Sequence, residues 1–233
     1  MALKKDKKKT LNNGRTLITL RNSRSPISEQ YRTIRTNIQF SNVDSELKTL
    51  MVTSAGPGEG KSTTVANLAV VFAQQGKKVL LVDADLRKPT VHYTFNQTNT
   101  FGLTNVLTGQ ISLIKAVNEP TEKNLYVLTS GPIPPNPAEL ISSKAMEQFF
   151  EEAQTIFDLI IFDAPPLLAV TDSQLLANKC EATILVVSSG KTEKELAVKA
   201  KDLLETAQGK LLGVVLNNKK MKTSQQYYYY GTN

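Results

Sequence analysis

Residues 47–87 read LKTLMVTSAGPGEGKSTTVANLAVVFAQQGKKVLLVDADLR. An apolar run, a glycine loop, a helical segment closing near Gly76 and a second apolar run make one strand, loop, helix and strand unit. Both strand segments are apolar throughout, so both belong inside a sheet covered on two faces, where parallel strands sit. Outward from this unit, further strands are predicted over 125–129, 159–162, 183–187 and 211–216, with helices near 144–157, 172–178 and 193–207. Upstream, Ser25 as an N-cap and Pro26 at the first helical position open a helix over 27–40. Strands alternating with helices argue for a single α/β domain with a mostly parallel sheet and helices on both faces.

Inside the loop, Ala55 to Ser62 (AGPGEGKS) match a phosphate-binding loop in which Ala replaces the first Gly. Phosphates need convergent backbone N–H groups, and Gly58 and Gly60 let the backbone curl that tightly. Lys61 offers a cation to the β and γ phosphates, Ser62 a hydroxyl to Mg²⁺, and the following helix its positive end. Mg²⁺ prefers oxygen ligands. Carboxylates at the ends of neighbouring strands suit it, and VLLVDADLR supplies Asp83 and Asp85 while DLIIFDAPP supplies Asp163. A lone Asp after a strand is ordinary turn or cap chemistry; three of them beside a phosphate loop point to a metal-nucleotide site on a P-loop NTPase fold.

The chain has 233 residues, 40% hydrophobic and 21% charged, which excludes collagen-like, disulfide-stapled and wholly disordered classes. The single cysteine, Cys180, leads into an apolar run and reads as a buried thiol. The formal charge of +7 is carried entirely by residues 1–24, which hold eight basic residues against Asp6, while the rest balances 20 basic against 20 acidic. Such an arm suits an anionic membrane leaflet, or simply solubility. Nucleic acid is disfavoured, because no aromatic residue is interleaved with the basic ones to stack on bases. No apolar run approaches a membrane span and no signal-peptide core is present, so a cytoplasmic location is expected. The expected organisation is a flexible basic arm over 1–24, a catalytic domain over 25–218 and a flexible tail over 219–233.

The phosphate loop, LLVDADLRKP and LIIFDAPP together resemble the Walker A, A′ and B motifs of the bacterial tyrosine kinases that control capsular and exopolysaccharide synthesis. The resemblance runs from about residue 25 to the end and implies the following roles. ATP contacts fall on Gly56, Gly58, Glu59, Gly60, Lys61, Ser62 and Thr63. Mg²⁺ falls to Ser62, Asp83, Asp85 and Asp163. Asp83 also serves as the base toward tyrosine, with Lys61 and Asp85 as its catalytic companions. Tyr227, Tyr228, Tyr229 and Tyr230, four of the seven tyrosines, are the implied autophosphorylation cluster; a sticky segment that adds to a sheet edge is the alternative. Glu29, Arg32 and Arg35 in EQYRTIR follow the pattern that makes subunit contacts in a homo-oligomeric ring, with charge pairing inside the helix as the alternative.

The implied partners are a separate membrane-bound activator of the polysaccharide chain-length regulator type, protein substrates such as polysaccharide-synthesis enzymes, and a cognate phosphotyrosine phosphatase. The activator would recruit the chain to the inner face of the membrane. Two competing readings are a partition or septum-positioning ATPase and a nucleotide-binding adaptor phosphorylated by another kinase. The positioning ATPases carry a lysine where this chain has Gly56, which counts against the first. Elsewhere, Arg87 is expected in a surface salt bridge and His92 to be exposed or in a loop, with no catalytic role. GPIPPNPAELISS reads as a proline-rich loop. Asn217 and Asn218 suit either adenine contact or a turn.

Overall fold

The computed structural model describes residues 17–41 and 46–220. In chain order the elements are α1 (Ile18–Arg21), α2 (Pro26–Phe40), β1 (Thr49–Ser54), α3 (Lys61–Ala73), β2 (Val79–Asp83), α4 (Val91–Phe95), α5 (Leu103–Leu107) and α6 (Leu113–Ala116). Then come β3 (Leu125–Leu128), α7 (Pro137–Ser142), α8 (Lys144–Ile156), β4 (Leu159–Asp163), α9 (Asp172–Lys179), β5 (Ala182–Ser188), α10 (Lys194–Thr206) and β6 (Leu211–Asn217). The six strands form one sheet in the order β3-β2-β4-β1-β5-β6, and every pairing between them is parallel.

Side chains alternate across a strand, and the sheet therefore feeds two cores. Leu50, Val52, Leu81, Ile161 and Ile184 meet α2 and α3 on one face. Met51, Leu80, Val82, Phe162 and Leu185 meet α8, α9 and α10 on the other. Every residue of β1, β2 and β4 is buried, as apolar runs flanked on both sides require. The β6 edge differs, with Val214 57% and Leu216 50% exposed.

Because all strands run the same way, the carboxyl ends of β1, β2 and β4 lie at one edge. The chain leaves β1 toward β2 on one side and returns to place β5 on the other. Ligands of such sheets sit at that reversal.

Local signals act as expected at α2, where the Ser25 hydroxyl accepts from the Ser28 N–H at 3.1 Å and Pro26 occupies the first turn. Three expectations need correction. The arm expected over 1–24 gives way to packed chain by residue 17: Thr19 is fully buried, and its N–H and hydroxyl both donate to Asn67 Oδ1 on α3, at 3.1 and 2.9 Å. The proline-rich stretch becomes helical at α7, because Pro137 suits a first helical turn and Ile141 inserts into the core. His92 lies half-buried on α4 rather than in an exposed loop. Residues 221–233, including the tyrosine cluster, and most of the basic arm lie outside the described residues.

Candidate functional site

The loop after β1 is held through its own peptide groups. The Glu59 carboxylate, buried at 4% exposure, folds back to accept from the N–H groups of Ala55 and Gly56, each at 3.2 Å. Ser54 Oγ donates to the Gly56 carbonyl at 2.8 Å. From outside, Lys191 Nζ donates to the carbonyls of Pro57 and Gly58 at 3.1 and 3.0 Å. Asn217 Nδ2 donates to the Glu59 carbonyl at 2.9 Å. Gly60 has φ +95°, a conformation open to glycine, and a Cβ there would stand 2.0 Å from Asn217 Nδ2. The loop then opens α3, whose Thr64 N–H bonds the Gly60 carbonyl at 2.9 Å. The N–H groups of residues 61–63 precede that first helical bond and lack helical acceptors.

The Gly56 N–H and the Glu59 carboxylate are committed to each other and shape the loop, which leaves the Glu59 N–H, and not its side chain, for the ATP contact expected of it. Asn217 is likewise committed through its amide nitrogen to the loop, and Asn218 Nδ2 donates to Ser188 Oγ at 3.0 Å.

The carboxylates stand opposite. Asp83 and Asp163 are register partners on β2 and β4 and both are fully buried. Lys61 Nζ donates to Asp85 Oδ2 and Asp163 Oδ1, each at 3.1 Å, and lies 3.4 Å from Ser62 Oγ. Burial works against the Lys61 ammonium, but the charges of Asp163 and Asp85 and their hydrogen bonds outweigh it and raise its pKa.

Asp83 is held differently. Its Oδ2 accepts from the N–H groups of Thr90 and Val91, both at 2.9 Å, and its Oδ1 from that of Asp85 at 3.3 Å. Burial above all, and then the Asp163 charge, push its pKa up to about 7, against the pull of the two N–H groups and Lys61. The same N–H bonds start α4, which is why His92 sits on a helix. A carboxyl that titrates near neutrality beside a phosphate loop is suited to take a proton.

Asp163 Oδ2 is buried and has no hydrogen-bond partner. With Ser62 Oγ and Asp85 it makes an all-oxygen donor set, which fits magnesium. Among the described residues no three acidic, histidine or cysteine side chains close into a metal cage; Mg²⁺ sites usually complete their shell with phosphate oxygens and water.

The expected Arg87 salt bridge is present and stronger in form than a surface pair. Its Nε and Nη2 bond both oxygens of Asp172 at 2.9 and 3.0 Å, and Asp172 is fully buried at the start of α9. The bridge ties the segment after β2 to the helix after β4.

On α2, Arg32 pairs with Glu29 and donates to the Ser23 carbonyl at 2.7 Å. Arg35 donates to the Val71 carbonyl in the last turn of α3 at 2.8 Å. Glu29 and Arg32 thus show the pairing inside the helix, while Arg35 fixes α2 to α3. The structure adds Thr90, Asp172 and Lys191 to the surroundings of the site. RKPT after the paired aspartates hints at Thr90 as a turn, whereas nothing near Lys191 or Asp172 in the chain announces a partner more than 80 residues away.

The AAA domain family matches residues 47–208. Tyrosine-protein kinase YwqD of Bacillus subtilis is 58% identical over 232 residues, covering 100% of this chain and 97% of that protein. Putative tyrosine-protein kinase CapB of Staphylococcus aureus is 45% identical over 209 residues, covering 89% and 92%. The crystal structure of the chimerical protein CapA2B2 superposes with a TM-score of 0.85 at 44% identity, covering 88% of this chain and 90% of that one. With a phosphate loop, a lysine between two buried carboxylates and a third carboxyl poised near neutrality, the chain belongs to the family of bacterial tyrosine-protein kinases.

Proposed function

We propose that this chain transfers the γ-phosphoryl group of ATP to tyrosine, that Tyr227, Tyr228, Tyr229 and Tyr230 are its acceptors in trans, and that this regulates capsular or exopolysaccharide synthesis. The observation that carries the reading is Asp83: fully buried at the strand end opposite the phosphate loop, and pushed up to about 7. Such a group accepts a phenol proton at neutral pH, where tyrosine with a pKa near 10 otherwise keeps it.

Lys61 stands between Asp85 and Asp163 and offsets part of their charge with its own. An incoming triphosphate competes for that ammonium, and Lys61 then serves the charge on the transferred group. Ser62, Asp85 and Asp163, with Asp83 beside them, are the side chains that would hold Mg²⁺, whose contribution is to neutralise phosphate charge. Thr63 and the free N–H groups at the start of α3 face the anion with the helix's positive end.

The exit of the chain supports the tail as substrate. β6 ends at Asn217, which is bonded to the loop itself, and Tyr227 follows ten residues later, at most about 35 Å of chain. That is enough chain for the tyrosines to extend away from the β6 edge, as transfer in trans requires. Self-association into a ring uses the α2 face carrying Glu29 and Arg32, with Arg35 holding α2 in place. Each phosphate adds about −1.5 to −2 charges to the tail and drives it from an acid-lined site, loosening the ring.

Among the described residues no helix is long and apolar enough to cross a membrane. The chimeric character of CapA2B2 supports a separate CapA-type membrane activator that brings the kinase to the inner face of the membrane. Polysaccharide-synthesis enzymes as further substrates, and a cognate phosphotyrosine phosphatase, complete the cycle.

The test is phosphotyrosine formation from Mg-ATP by the unchanged chain, Asp83→Asn and a Tyr227 to Tyr230→Phe variant, each with a cytoplasmic activator segment. Label in the first and in neither variant is expected. ATP hydrolysis without phosphotyrosine in the unchanged chain would overturn the kinase reading.

A further inference from the structure

Three consecutive carbonyls of the phosphate loop, those of Pro57, Gly58 and Glu59, are bonded by side chains that arrive from the far side of β1. Lys191 takes the first two and Asn217 the third. A trans peptide unit is flat, and its C=O and the next residue's N–H point in opposite directions. Pinning these carbonyls outward therefore turns the N–H groups of Gly58, Glu59 and Gly60 inward, toward the space over which α3 opens. The Glu59 carboxylate meanwhile occupies the N–H groups of Ala55 and Gly56, so the inward set is confined to the half of the loop next to Lys61.

Both outer groups are themselves placed by short-range geometry. Gly190 has φ +73°, and the Lys191 and Thr192 N–H groups return to the Ser188 carbonyl at 3.1 and 2.9 Å. This tight turn brings Lys191 back over the loop. Ser188 is further fixed by Thr192 Oγ1, which accepts from its N–H at 2.9 Å, and by the Asn218 amide. Asn217 packs so closely that a Cβ at residue 60 would displace its amide, and the φ of +95° there favours glycine independently.

We propose that Lys191 and Asn217 are positioning residues: an outer clamp that pre-sets the phosphate cradle, so that the loop does not have to reorient its peptides when the nucleotide arrives. This rests on the nucleotide reading above. It assigns work to a lysine whose bonds go to the outer side of the loop, to the carbonyls of Pro57 and Gly58.

The experiment is calorimetric titration of Mg-ADP into the full chain and into Lys191→Met, Lys191→Arg and Asn217→Ala, with melting temperatures recorded for each. Loss of a charge-assisted bond that pre-organises the site is expected to weaken binding about tenfold in Lys191→Met and severalfold in Asn217→Ala. Arginine, which can also reach two carbonyls, should restore affinity to within about threefold. In phosphotyrosine assays the loss should fall mainly on KM for ATP rather than on kcat. The ratio between the unchanged chain and Lys191→Met should persist at about 0.5 M salt, where long-range attraction is screened.

Binding by Lys191→Met within about twofold of the unchanged chain would overturn the clamp, as would a ratio that vanishes at high salt, which would reduce Lys191 to a distant charge. Failure of the unchanged chain itself to bind Mg-ADP would instead overturn the nucleotide reading, and the clamp with it.

Discussion

The two halves of the site are built from different materials. The phosphate-loop half, on β1 with β5 and β6 behind it, consists of peptide groups whose directions are set by two glycines, by N–H bonds accepted by the Glu59 carboxylate and by bonds donated from Lys191 and Asn217. The carboxylate half, on β2 and β4, consists of buried side-chain charges whose state is set by their neighbours. Peptide dipoles keep their charge at every pH, and geometry alone decides whether they converge. Buried carboxyls keep their place, and protonation decides what they do. One half fails by a shift of direction, the other by a shift of charge.

The largest expected effect lies where the halves meet. Lys61→Met removes the cation bonded to both Asp85 and Asp163 while keeping most of the side chain's length. Phosphotyrosine formation should fall by about 10³-fold or more, with the folded state still visible by circular dichroism. A rate within about tenfold of the unchanged chain would break the division, because the carboxylate half would then work without its partner.

A smaller effect tests whether the carboxylate half is stiffened from behind. Arg87→Ala leaves the buried Asp172 carboxylate without its bidentate partner. Asp172→Asn removes the charge together with the need for it. Arg87→Ala should therefore cost more stability than Asp172→Asn, by about 1–2 kcal/mol once the exposure of the guanidinium is allowed for. Urea denaturation of both variants decides; the reverse order would make the bridge an ordinary surface pair.

An effect of comparable size is read in pH. Unfolded, Asp83 titrates near the usual carboxyl value of about 4; folded, burial and the Asp163 charge push it up to about 7. Between these values the folded chain holds a proton that the unfolded chain has released, so stability falls as pH rises through this window and levels off above it. In metal- and nucleotide-free protein, Asp83→Asn should escape this fall. Its advantage should be slight near pH 4 and about 1–3 kcal/mol by pH 8. A thermal-melt difference that stays flat from pH 4 to 8 would show that Asp83 is ionised throughout.

The same contrast explains what the bare chain made legible. Gly58, Gly60, Lys61 and Ser62 stand at a spacing that peptide geometry demands, and Asp83, Asp85 and Asp163 at strand ends announce themselves by residue type. The sheet was equally plain, since fully apolar runs such as LIIF (159–162) have few other places to go. Short helices such as α4, α5 and α6 escaped because four or five residues show no periodicity, and Asp83 itself starts α4 by binding the N–H groups of Thr90 and Val91. Lys191, Asn217 and Asp172 act across more than 80 residues of chain, and a single lysine or asparagine carries no mark of the carbonyl it will meet. The protonation of Asp83 depends on burial beside Asp163, which only the sheet register brings about.

Cys180 gives the molecule a built-in witness to its own opening. It is the single thiol of the chain, it closes α9 just ahead of β5, and burial, helped by the Glu181 charge, pushes its pKa well up. A thiol so placed is invisible to alkylating reagents while α9 is seated. Its labelling rate is therefore a clock for local unfolding of the segment that joins the Asp172 anchor to the strand behind the phosphate loop, and it needs no engineered probe to be read.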